Sequence, residues 1–232
     1  MNCPLCGTGN DYGSDLCNHC GRPIKIGESD FLNDELLTRI SQIAQHNFRQ
    51  GNFLQAINDI SEYIEIVDTD PGAYVFRGKL YDYLSYGSNL KNREVRNILT
   101  QGIEDFSHAI FLDPNNTVAY YNRGNTFLAR KDFDFALDDF SKVIYMSSDD
   151  DLNKVMSYSL SAFAHEKLGD LDQAMIEHEK ALSIDSQNEF AISLRDDFLR
   201  RNMNSEISSK RLFLFCGTLI LVVIFFYFVI KS

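Results

Sequence analysis

Large and small apolar positions recur along most of this chain at a spacing close to 34 residues. Gly102, Phe106 and Ala109 are matched 34 residues later by Ala136, Phe140 and Val143. Tyr74, Gly78 and Tyr81 are matched 46 residues later by Tyr120, Gly124 and Phe127, which is 34 plus an insertion of 12. Tyr158 and Ala162 follow Tyr120 and Gly124 after 38 residues, and Ala174 and Ala181 follow Ala136 and Val143 by the same step. A period of this length, with large and small positions alternating at helical spacing, predicts helical hairpins stacked side by side. Gly51-Asn52, Lys131-Asp132 and Gly169-Asp170 read as tight links inside three hairpins, each followed by a close-packing alanine: Ala56, Ala136 and Ala174. Asp70-Pro71 reads as an N-cap with proline in the first helical position, and Asp113-Pro114 as the end of a hairpin.

The helical pattern runs from Phe31 to about Met203. Near Gly87–Asn97 an insertion carries Lys91, Arg93 and Arg96, and Asn92 is placed to cap a helix whose Val95, Ile98, Leu99 and Ile103 continue an apolar stripe. This predicts a lengthened second helix in that repeat, with either a solvated extension or a basic spur for a partner as its role. Residues 37–186 resemble four tetratricopeptide repeats (TPRs). Thr117–Asn153 carries the signature most fully, with Tyr120, Gly124, Phe127, Ala136, Phe140 and Val143. Val155–Ser186 follows it with Tyr158, Ala162, Ala174 and Ala181. Pro71–Asn116 matches around its insertion, and the first repeat keeps Ile40, Ala44, Ala56 and Tyr63.

The resemblance implies an all-α fold: a TPR-type solenoid of about four hairpins over residues 32–203, closed by a capping helix at Glu189–Arg201. It also implies that the first helix of each repeat lines a groove that grips a peptide or a partner helix. The groove positions are then Thr38, Ser41, Gln42 and Gln45, followed by Val75, Phe76 and Lys79. Val118, Tyr121, Asn122 and Asn125 come next, with Met156, Ser159, Leu160 and Phe163 last. Aromatic and amide side chains predominate there, and buried aromatics dominate binding energy, so Phe76, Tyr121 and Phe163 are the expected anchors, unless they pack between neighbouring helices. Some members of the family clamp an acidic chaperone tail with Lys and Arg; here those positions hold Ser41, Gln45, Phe76, Val118 and Asn122, which disfavours that partner.

Four of the five cysteines fall in the first twenty residues. Cys3 and Cys6 form one C-x-x-C-G, Cys17 and Cys20 a second, with His19 read as a spacer. Two such turns set face to face give a tetrahedral thiolate cage, with Gly7 and Gly21 letting backbone amides approach the sulfurs. A segment this small has almost no core, so a structural Zn²⁺ over residues 1–26 would be its folding energy. The segment resembles the short zinc ribbons at the start of many bacterial membrane-associated proteins.

Leu212–Ile230 is 19 residues without a charge, about 28 Å as a helix and close to the ~30 Å of a bilayer's hydrocarbon. Arg200, Arg201, Lys210 and Arg211 precede it and Lys231 follows, which by the positive-inside rule puts the repeats on the cytoplasmic side of a tail-anchored, single-pass protein. Residues 204–211 form a polar and basic linker. No secretory leader is evident.

The formal charge of −11 makes nucleic acid a poor partner. His46, His108, His165 and His178 are scattered, with His178 standing where Phe140 stands one repeat earlier, so it reads as a core residue. No nucleophile motif or phosphate loop is present, and no small-molecule substrate is implied. The expected function is non-enzymatic: a membrane-tethered scaffold whose groove binds a protein partner. The alternative is a membrane-anchored zinc-ribbon protein that binds nucleic acid or regulates. It is disfavoured by Arg22 and Lys25 standing against Asp11, Asp15 and Glu28.

Overall fold

The structure, a computed structural model, describes residues 28–86, 91–148 and 151–202. The expected zinc ribbon at 1–26, the linker at 204–211 and the apolar segment at 212–230 lie outside the described residues. What is described is helix and short connections: α1 (Glu28–Arg49), α2 (Phe53–Ile66), α3 (Pro71–Tyr86), α4 (Asn92–Leu112), α5 (Thr117–Arg130), α6 (Phe133–Met146), α7 (Leu152–Leu168) and α8 (Leu171–Ile184). A ninth, α9, occupies 189–202. The helices pair into four antiparallel hairpins, and α9 closes the stack as an all-α TPR-type solenoid.

The links form where the sequence placed them. Gly51 and Gly169 take φ of 77° and 88°, the left-handed region that glycine enters freely. The equivalent position in the third hairpin is Lys131, at φ 68°, where a side chain costs ~1–2 kcal/mol. Its strain is offset by two bonds that close the helix end: the Lys131 N–H donates to Leu128 O at 3.0 Å and the Asp132 N–H to Phe127 O at 2.9 Å. Asp70 Oδ1 accepts from the Gly72 N–H at 2.8 Å, so the Asp-Pro start is a true cap. The lengthened helix is present as well, α4 having 21 residues against 14 in α6 and α8. It starts one residue differently from expectation: Lys91 holds the cap position, and its backbone N–H donates to the Glu94 carboxylate at 2.9 Å.

Small residues set how closely the two helices of a hairpin meet. A β-carbon on Gly78 would stand 2.7 Å from the Phe106 ring, and one on Gly124 2.8 Å from the Phe140 ring. Each glycine is therefore required by the fully buried phenylalanine opposite. In the fourth hairpin the pair becomes Ala162 and His178, and the smaller imidazole goes with the larger partner. His178 is 1% exposed and packs against Phe198 of α9 at 5.4 Å between ring centres.

Among the described residues, the extensive helix–helix contacts run between elements of the same or adjacent hairpins. The first helices of successive hairpins touch, α3 with α5 and α5 with α7, whereas the second helices contact the following first helix rather than one another. The first helices consequently line the inner, concave side, and the second helices splay on the outer side.

A polar clamp stitches consecutive hairpins. Arg77 of α3 donates from Nη2 and Nε to the two Asp105 carboxylate oxygens of α4 at 2.7 and 2.8 Å, and from Nη1 to Ser61 Oγ of α2 at 3.1 Å. Arg123 repeats this with Asp139 at 2.7 and 2.8 Å and Ser107 at 2.9 Å. Burial pushes the Asp105 and Asp139 carboxyls above the usual carboxylate range, and the facing guanidiniums oppose that rise.

Candidate partner-binding groove

The inner surface is built from α1, α3, α5 and α7, and it is not uniform along its length. At the amino-terminal end Phe48, Phe53, Phe76 and Tyr83 form one aromatic cluster: Phe48 meets Phe76 edge-on at 5.9 Å and Tyr83 at 5.1 Å, and Phe53 stacks on Tyr83 at 5.6 Å. Such contacts add ~0.5–1.5 kcal/mol per pair beyond the area buried. Phe76 is therefore largely absorbed in holding α1 and α2 to α3, and Tyr83, which is exposed, is the ring of this cluster open to a partner. Tyr83 was not among the expected residues.

In the middle, Tyr121 is half-buried; its hydroxyl donates to Met156 Sδ at 3.7 Å and its ring lies 6.3 Å from Phe140. Burial pushes the Tyr121 phenol above its ordinary value. Asn122 and Asn125 each donate from Nδ2 to their own helix, to Val118 O at 2.6 Å and Tyr121 O at 3.0 Å. These bonds fix the two amides in place and leave their oxygens as acceptors. At the carboxy-terminal end Phe163 is half-buried under the Lys167 ammonium, 4.8 Å from the ring centre, and Leu160 packs against the Phe127–Phe140 cluster.

Two expected groove residues lie elsewhere. Val75 is 9% exposed and belongs to the core formed with Ala44, Ile57 and Phe106. Ser159 is fully buried, its hydroxyl donating to Val155 O at 3.1 Å. Both occupy the flank of a first helix that presses on a neighbour, so at those positions packing displaces access. Phe76, Lys79, Tyr121, Asn122, Asn125, Leu160 and Phe163 all keep partial exposure.

One polar junction in this surface went unforeseen. Asp82 of α3 accepts from the Thr126 hydroxyl of α5, 2.9 and 3.0 Å from its two oxygens. Burial raises its pKa to about 7, more than the Thr126 hydrogen bond and the Lys79 charge lower it. The only signal for it was that Asp82 lies one turn beyond Gly78 on the same helix face. Among the described residues there is no group of three or more metal-ligating side chains and no helix long and apolar enough to cross a membrane.

The comparisons agree with this geometry. A tetratricopeptide-repeat family model matches residues 157–188, the second part of α7 through α8. The chain is similar in fold to a MamA fragment (41 to the end) from Desulfovibrio magneticus RS-1, with 17% identity, a TM-score of 0.61, and coverage of 80% of this chain and 92% of that one. It is also similar to a thermophilic TPR protein, TTC0263, from Thermus thermophilus, with 16% identity, a TM-score of 0.56, and coverage of 71% and 80%. At these identities the likeness concerns the fold.

Proposed function

We propose that this chain is a non-enzymatic, membrane-tethered scaffold whose concave TPR surface binds an extended segment or helix of a protein partner. TPR arrays mediate protein–protein interaction. The observation that carries the reading here is the line of groups from the exposed Tyr83 through the half-buried Tyr121, Asn122 and Asn125 to Phe163. Rings at intervals supply apolar anchors, and pre-positioned amides supply acceptors for a backbone that lies along them. Leu212–Ile230 would hold the array at the cytoplasmic face of a membrane, where a partner in the same membrane meets it at raised effective concentration. Cys3, Cys6, Cys17 and Cys20 would hold a structural Zn²⁺, with every position a protein ligand and none left for a substrate.

Capture from native membranes in mild detergent tests the groove. Asn122→Ala/Asn125→Ala/Tyr83→Ala, chosen to spare the packed Phe76, should lose specific partners that the wild-type chain retains. An unchanged partner profile in a variant that melts like wild type would rule out the concave surface as the binding face.

A further inference from the structure

The polar clamp that joins consecutive hairpins is missing its cation at the last junction. Serine, carboxylate and arginine occupy matching positions in Ser61–Asp105–Arg77 and in Ser107–Asp139–Arg123. At the third junction the serine is Ser141, the carboxylate is Glu177, and Ser161 stands where the arginine should be. The space has not closed. A cleft of about 480 Å³ opens outward between α6 and α8 over α7, lined by Ser141, Tyr158, Ser161, His165, Glu177 and Lys180 among others.

Three details show what this cleft is suited to hold. Glu177 is 7% exposed, and its bonds from Gln173 Nε2 (2.7 Å) and Lys180 Nζ (3.1 Å) both go to Oε1, leaving Oε2 with no hydrogen-bond partner among the described residues. That second oxygen is open to a further donor that enters the cleft. Next, Tyr158 repeats the ring that sits beneath each clamp arginine: the guanidinium carbon is 5.7 Å from the Tyr74 centre and 5.6 Å from the Tyr120 centre. Lys180 now stands over Tyr158 at 5.6 Å, so a cation already prefers this place. Its side chain is 48% exposed, however, and an ammonium lacks the planar fork that engages both carboxylate oxygens.

We propose that this cleft receives an arginine side chain from a protein partner, whose guanidinium engages Glu177 and Ser141 over Tyr158 while Lys180 swings out to solvent. The chain's own Arg77 and Arg123 are the templates for that pose, and the charge of −11 favours a cationic partner. The site lies on the outer side of the stack and does not rest on the groove reading.

The test is an amide-shift titration of the full ¹⁵N-labelled chain in mild detergent with the capped peptide acetyl-Gly-Gly-Arg-Gly-Gly-amide. Saturable shifts confined to α6–α8 are expected, weakened at least ten-fold in Glu177→Gln and absent in Ser161→Arg, which restores the clamp from within. The citrulline peptide, isosteric but uncharged, should give none. Equal binding of the citrulline peptide, or undiminished binding by Glu177→Gln, would overturn the proposal. So would shifts produced by free arginine and not by the peptide, since they would make the ligand a small guanidine and not a partner's side chain. Should Ser161→Arg fail to fold, the Glu177→Gln arm decides alone.

Discussion

Gly124→Ala is the sharpest test of the packing rule, because two effects of opposite sign meet at one atom. In an exposed helix the change stabilises by ~1 kcal/mol, since alanine has the higher helix propensity. Here the added methyl would stand 2.8 Å from Phe140 Cε1, with two further ring atoms at 3.1 Å. That is roughly 1 Å inside a relaxed carbon–carbon contact of ~3.7 Å. Phe140 is fully buried and Ala136 and Phe127 pack around it, so the ring has no free volume to retreat into. Overpacking of this kind costs ~1–3 kcal/mol, and after the ~1 kcal/mol propensity gain the net loss should be about 0–2 kcal/mol. The assay is urea unfolding of the full chain in detergent, followed by circular dichroism. Phe140→Leu provides the second corner of a double-mutant cycle: in that background the ring is gone and Gly124→Ala should stabilise by ~1 kcal/mol. A coupling energy of about 1–3 kcal/mol is the expected reading. If Gly124→Ala stabilises the wild-type chain, the claim that the ring dictates the glycine is wrong.

Arg123→Ala leaves Asp139 buried with no cation and should cost ~3–5 kcal/mol by thermal melting, less if water reaches the carboxylate; Arg123→Lys should recover only part, lacking the fork. His178, whose pKa burial lowers to about 4, binds protons more weakly folded than unfolded. Its stability contribution is thus complete above about pH 6.5 and is lost as pH falls towards 4, by about 3 kcal/mol in all. His178→Phe should abolish that part of the pH dependence of unfolding, though the phenylalanine must fit beside Ala162, so the slope and not the absolute stability is the readout. Asp82 has the opposite sign: with its pKa raised to about 7 its contribution is full below 3.8 and declines as pH rises. Asp82→Asn should therefore stabilise the chain at about pH 8 and have little effect near pH 4. Finally, X-ray absorption at zinc should show four sulfur ligands, and chelation should leave the unfolding of residues 28–202 unchanged. A nitrogen or water in the shell would show that the cysteine set is not the site described.

Residues that repeat at fixed spacing were readable in the sequence, and these set the fold. Ala56, Ala136 and Ala174 are fully buried where expected, the three links close as expected, and even Lys131 was placed in its turn by its equivalence to Gly51 and Gly169. The groove was less legible because a first helix has two inner flanks. One faces the partner and the other faces the next first helix, and spacing alone did not separate Asn122 from Val75. The clamp was hidden for a different reason. Ser61, Arg77 and Asp105 sit on three helices, and each is ordinary on its own; only the bonds among them reveal a unit, and only then is Ser161 conspicuous. His178 as a core residue was foreseen from its match to Phe140, but its two ring nitrogens, both without hydrogen-bond partners among the described residues, were not.

Contacts confined to adjacent hairpins also have a mechanical side. A pull at the carboxyl end enters the array through α9, which passes the load to α7 and α8. Its grip is local: Phe198 against His178, and Arg201 bound through Nε and Nη2 to the two Glu166 oxygens at 2.8 and 2.7 Å. Force along such a stack peels one helix at a time instead of shearing many bonds together. The last hairpin would act as a fuse: it would release at low tension, bare the flank of α7 and α8, and leave the clamped middle intact.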